Sequence, residues 1–142
     1  MTAKQFIDTN VLVYAFDAAA PAKRGIAQGV LESADPETSV VSSQVLNEFF
    51  VTVTRKLARP LEHGPARAVV REMAALDVVP LTGELVLRGI DRSTASQLSL
   101  WDALIVEAAL TAGCETLLTE DLSDGQRFDD LLVRDPFASL AD

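Results

Sequence analysis

The chain has 142 residues, enough for one domain with a substantial core, and its 49% hydrophobic and 23% charged residues are ordinary for a globular fold. That composition excludes disorder and low complexity. Charges interrupt every apolar run before the ~20 residues of a membrane span, and Lys4 and Asp8 in the opening segment argue against a signal peptide. A net charge of −9 argues against broad affinity for nucleic acid, unless some of the acids hold divalent cations that reverse the local sign.

In chain order, residues 4–8 read as a short buried strand and 11–17 as a helix. Pro21 suits the first turn of a helix running to 31–33. "DPET" at 35–38 is a turn and "SVVS" at 39–42 a second strand. Ser42 or Ser43 can cap a helix over 44–58, whose apolar side is Val45, Leu46, Phe49, Val53 and Leu57. "RPLEHGP" at 59–65 breaks that helix. A helix over 66–76 and a strand over 77–81 follow. Thr82 can cap a helix reaching 93–96, and Ser99 can cap "LWDALIVEAALTA", which stops at Gly113. Residues 115–119 read as a strand, "EDLSDGQRF" as a polar loop and 131–135 as the last strand.

This alternation predicts an α/β fold, a single domain over 1–142 with a short, mostly parallel central sheet flanked by helices on both faces. Ligands of such sheets sit beyond the carboxyl ends of the strands, near a topological switch point. The lone Cys114 has no internal disulfide partner and fits a reducing, cytoplasmic location.

Four carboxylates interrupt apolar elements near ends that can face one cleft. Asp8 follows the first strand, and Asp121 follows "TLLTE". Glu48 lies one turn into its helix at the border of the apolar stripe. Asp102 opens an almost wholly apolar helix. Each has a simpler local reading: a turn former at Asp121, a favourable helix-dipole position at Glu48, a near capping box with Ser99 at Asp102. The set is harder to explain, because gathered like charges cost free energy unless something positive offsets them. No Lys or Arg lies within three residues of Asp8, Asp102 or Asp121. Oxygen donors without Cys or clustered His favour Mg²⁺ or Mn²⁺ over Zn²⁺.

"FIDTNVLVYAF", "SSQVLNEFF", "SLWDALIVEAAL" and "LLTEDL", in this order, resemble the PIN-domain nucleases and most of all the VapC-type toxins of prokaryotic toxin–antitoxin pairs. The likeness runs through "GC" before the fourth strand to "VRDPF". It implies a parallel sheet flanked by helices and an acidic site at Asp8, Glu48, Asp102 and Asp121. It further implies Mg²⁺- or Mn²⁺-dependent cleavage of RNA, homodimers, and silencing by a cognate antitoxin. Asp124 is an additional candidate acid, with a turn ahead of Gly125 as the competing reading. Thr9, Asn10 and Thr119 can hydrogen-bond the carboxylates or metal-bound water, or else satisfy turn and cap amides.

The expected chemistry has Asp8, Asp102 and Asp121 holding the metal and Glu48 completing the ring. The single histidine, His63, lies in "LEHGP", read as an exposed loop, which disfavours a histidine-based ribonuclease mechanism. Arg55, Lys56 and Arg59, or Lys23 and Arg24, are candidate phosphate contacts, and Trp101 a candidate base-stacking residue. A haloacid-dehalogenase phosphatase needs a second Asp at position 10, which is Asn. A receiver domain needs adjacent acids at the first strand end and a late Lys. The remaining alternatives are a catalytically silent PIN-fold binding module and a non-toxin PIN nuclease of RNA processing.

Overall fold

Apolar segments of two to four residues make the strands: β1 (Gln5–Ile7), β2 (Ser39–Ser42), β3 (Asp77–Val79), β4 (Thr116–Leu118), β5 (Arg127–Phe128) and β6 (Leu131–Arg134). The computed structural model describes residues 3–140. The strands form one sheet in the order β3-β2-β1-β4-β6-β5, parallel throughout except for the antiparallel β5–β6 hairpin. Phe6, Ile7, Val40, Val41, Leu117, Leu131 and Val133 fill its centre and are buried, as expected for strands covered on both faces.

The strand order reverses at β1. The chain lays β2 and then β3 on one side, and returns to place β4 on the other. Ile7 pairs with Leu118, and the Asp8 amide donates to the Leu118 carbonyl at 3.0 Å. The exits of β1 and β4 therefore lie side by side, at the switch point where α/β sheets open a crevice.

The helices are α1 (Thr9–Tyr14), α2 (Pro21–Ser33), α3 (Ser43–Arg55), α4 (His63–Met73), α5 (Gly83–Ser96) and α6 (Leu100–Thr111), followed by a single 3-10 turn at Ala138–Leu140. Side-chain oxygens of Ser42, Thr82 and Ser99 accept from Val45, Leu85 and Asp102 amides and start α3, α5 and α6. Helix α6 buries Ala103 to Val106, Ala108 and Ala109, and a helix apolar on nearly every side belongs inside. It crosses α5 closely at Gly89, where a Cβ would stand 2.6 Å from Leu104 Cδ2. Only glycine permits that approach without repacking.

Several boundaries differ from the sequence reading. Helix α1 begins at Thr9 because the Asp8 carboxylate caps it. Helix α4 begins at His63, not 66, since Pro65 sits in its first turn, where a missing amide costs nothing. The expected break contains a helix start, and His63 is an exposed helical residue packed against Phe50 at 5.4 Å between ring centroids. Helix α3 ends at Arg55 rather than 58. Strand β5 lies inside the stretch expected to be loop. Among the described residues no helix is long and apolar enough to cross a membrane.

Candidate active site

Asp8 leaves β1 with no room to turn away. Its Oδ1 accepts from the Thr9 amide at 2.7 Å, and its Oδ2 accepts from the Thr119 hydroxyl at 2.8 Å. Only 6% of the residue is exposed. Thr119, itself buried, accepts in turn from Asn10 Nδ2 and from the Asp121 amide, each at 3.1 Å. Asn10 Oδ1 accepts from the Glu120 amide at 3.3 Å. Thr119 thus binds the two strand exits into one unit and orients both Asp8 and the turn that carries Asp121.

Glu48, half-buried on α3, is held from two sides. Its Oε2 accepts from the Thr9 hydroxyl at 3.3 Å and its Oε1 from Gln44 Nε2 at 2.8 Å. Gln44 Nε2 also donates to the Trp101 carbonyl at 3.3 Å, which ties α3 to the start of α6. The sequence reading missed Gln44. Its signal was available: a polar residue four before Glu48 on the apolar side of a helix, the spacing at which side chains meet.

Two adjoining cavities bring together Glu48, Asp102 and Asp121, while Asp8, buried at the β1 exit, lines neither. One, of about 300 Å³, is lined by Thr9, Asn10, Tyr14, Asp17, Glu48, Glu120 and Asp121 among others. The second, of about 520 Å³, is lined by Asn47, Glu48, Val51, Thr52, Lys56, Trp101, Asp102 and Asp121. Glu48 and Asp121 border both. Asp124 borders neither; its Oδ1 accepts from the Asp135 amide at 3.0 Å in an exposed turn. His63 and Arg59 also stand outside both cavities. Lys23 is engaged elsewhere, 2.8 Å from Glu120 Oε2.

The electrostatics follow from this packing. Burial above all pushes the Asp8 carboxyl up to about 7, with the charges of Asp121 and Glu48 adding to it and the bonds from Thr119 and Thr9 opposing. Burial, then Asp121 and Glu48, raise Asp102 above the usual carboxylate range, against the Ser99 hydroxyl. Among the described residues none of Asp8, Glu48, Asp102 and Asp121 forms an ion pair. Nor do any three Asp, Glu, His or Cys side chains there converge into a ready-made metal cage. Glu48, Asp102 and Asp121 line the cleft and Asp8 lies buried within reach of their charges, hard oxygen donors that fit Mg²⁺ or Mn²⁺ in kind.

A family model described as PIN domain matches residues 6–129. A search of the curated proteins gives no match. Among solved structures, the chain is similar to a toxin–antitoxin complex from Klebsiella pneumoniae, with 19% identity, a TM-score of 0.69, and coverage of 94% of this chain and 98% of that one. It is similar to VapC20 of Mycobacterium tuberculosis, a Sarcin-Ricin loop cleaving toxin, at 20% identity and TM-score 0.65 over 80% of this chain and 87% of that one. FitAcB from Neisseria gonorrhoeae shares 18% identity and a TM-score of 0.62 over 94% and 99% of the two chains. Identities this low speak to the fold.

Proposed function

This chain belongs to the PIN-domain family, and from that premise we propose that it is a divalent-metal-dependent endoribonuclease acting as the toxin of a toxin–antitoxin pair. One observation carries the reading: Glu48, Asp102 and Asp121 come from three separate elements to one pair of adjoining cavities, Asp8 lies buried at the β1 exit within reach of the charges of Glu48 and Asp121, and none of the four forms an ion pair among the described residues. A pure binding module has no use for that repulsion. The solved neighbours, which include a toxin–antitoxin complex and a Sarcin-Ricin loop cleaving toxin, support the toxin assignment.

Asp8, Asp102 and Asp121 would hold Mg²⁺ or Mn²⁺, with Glu48 completing the ring. When bound, the ion supplies Lewis acidity, lowering the pKa of water and polarising the scissile phosphate. The chain's own groups supply orientation. Thr119 and the Thr9 amide fix both oxygens of Asp8. Thr9 and Gln44 fix Glu48, whose carboxylate would coordinate the ion through water or orient the attacking water. Attack by water forms one P–O bond and breaks the P–O3′ bond, leaving a 3′-hydroxyl and a 5′-phosphate. Histidine chemistry has no candidate here, because the one histidine lies outside the cavities.

The proposed partners follow the same surfaces. A basic antitoxin segment would complement the acidic cleft. Leu87 and Ile90, 64% and 46% exposed and three residues apart on α5, offer an apolar strip for a homodimer. We place the protein in the cytoplasm, where its free Cys114 stays reduced. The deciding experiment incubates the purified protein with structured and single-stranded RNA in Mg²⁺, Mn²⁺ or chelator. Cleavage with either ion and none with chelator is expected. No cleavage with either ion, in a protein that folds, would leave the silent binding module as the reading.

A further inference from the structure

The larger cavity does not stop at the acids. From Glu48, Asp102 and Asp121 it extends along α3 past Val51 and Thr52 to Lys56, and across to Trp101 on α6. Trp101 is 63% exposed and Val51 44%, so a large aromatic and an aliphatic side chain face water beside a charged site. The Trp101 carbonyl is fixed by Gln44, so the residue stands on an anchored helix start. Among the described residues Lys56 is the only cation lining the cavity, and there it makes no ion pair.

The groove therefore presents acids, then an apolar shelf, then an ammonium group. Single-stranded RNA repeats phosphate, base and phosphate, the same order of chemistry once a divalent ion stands between the acids and the first phosphate. A basic protein segment would suit the acidic end of this groove but not its Lys56 end, where the ammonium group beside an apolar shelf favours a phosphate and a base. We propose that the groove between α3 and the start of α6 is a nucleotide subsite, in which Trp101 stacks the unpaired base beside the scissile phosphate and Lys56 contacts the next phosphate. This rests on the ribonuclease reading and adds to it a demand for an unpaired base. Stacking tolerates any base, so the subsite selects single strands over duplexes rather than a sequence.

Trp101 is the chain's one tryptophan, so selectively excited tryptophan fluorescence reports on this groove alone. The test titrates full-length Asp8→Asn protein in Mg²⁺ with a short single-stranded oligoribonucleotide and with its duplex. Saturable quenching by the single strand only is expected. Lys56→Gln should weaken that binding and flatten its salt dependence by about one phosphate contact. In the otherwise wild-type enzyme, Trp101→Ala should raise KM roughly tenfold with kcat kept, and Trp101→Phe should restore most of the loss. Cleavage by the wild type, with no quenching and an unchanged KM in Trp101→Ala, overturns the subsite, leaves the nuclease standing and assigns the groove to a protein partner. No cleavage by the wild type, with quenching intact, upholds the groove as an RNA site and removes the nuclease reading. Absence of both removes both.

Discussion

Glu120 and Asp121 are neighbours in the chain and opposites in circumstance. Glu120 accepts from the Tyr14 hydroxyl at 2.6 Å and from Lys23 Nζ at 2.8 Å, and Lys23 lies 4.7 Å from the centre of the Tyr14 ring. The bond to Glu120 raises both the Tyr14 and the Lys23 pKa, which favours a neutral phenol and a charged ammonium group. Asp121, one residue on, has no such partner among the described residues and shares its cavity with Glu48 and Asp102. An acid that serves the fold is neutralised by the fold. An acid left bare beside two others is stabilised only by something that arrives from outside.

The sharpest way to break that contrast is Asp8→Asn, which keeps shape and removes charge. RNA cleavage should fall by at least about 10²-fold, the scale for losing one preorganised electrostatic group, while circular dichroism and Tm show an intact fold. Next is Thr119→Val, which deletes the hydroxyl serving Asp8, Asn10 and the Asp121 amide at once. Activity should drop roughly 10- to 100-fold, as for loss of a group that orients ligands, and Asp8→Asn should mask most of it in the double variant.

A third effect concerns pH. Asp8 is neutral more readily in the fold than in the unfolded chain, so its contribution to stability is full below about 4 and is lost as pH rises through about 7. In chelator, unfolding by denaturant should show about 1.4 kcal/mol more stability at pH 6 than at pH 8 from this group, and Asp8→Asn should flatten the difference. The smallest effect falls on the compensated side. Lys23→Met leaves Glu120 with Tyr14 alone and should cost about 1 kcal/mol or less, since the pair is partly exposed, with cleavage unchanged. If Lys23→Met abolished cleavage while Thr119→Val did not, the division between the two acids would be drawn in the wrong place.

Local chemistry made much of this fold legible. Cap residues located the starts of α3, α5 and α6 almost to the residue, because Ser42, Thr82 and Ser99 act on amides three positions away. The acids stood out because each interrupts an apolar element. What stayed hidden depends on distance along the chain. Thr119 reaches Asp8 across 111 residues, and Tyr14 and Lys23 reach Glu120 across 106 and 97. No periodicity encodes such pairings. Strand β5 escaped because two residues carry no pattern, and Pro65 misled because proline ends helices as readily as it begins them. Asp124 read equally well as ligand or turn residue, and only its bond to the Asp135 amide gives it a place in the turn.

The union of β1 with β4 has a consequence in time. A nascent chain displays Asp8, Glu48 and Asp102 long before residues 116–121 leave the ribosome. Until they do, Asp8 lacks the Thr119 hydroxyl, β1 lacks its neighbour on one side, and the cleft has no fourth wall. Assembly of the pocket is thus a late event of translation.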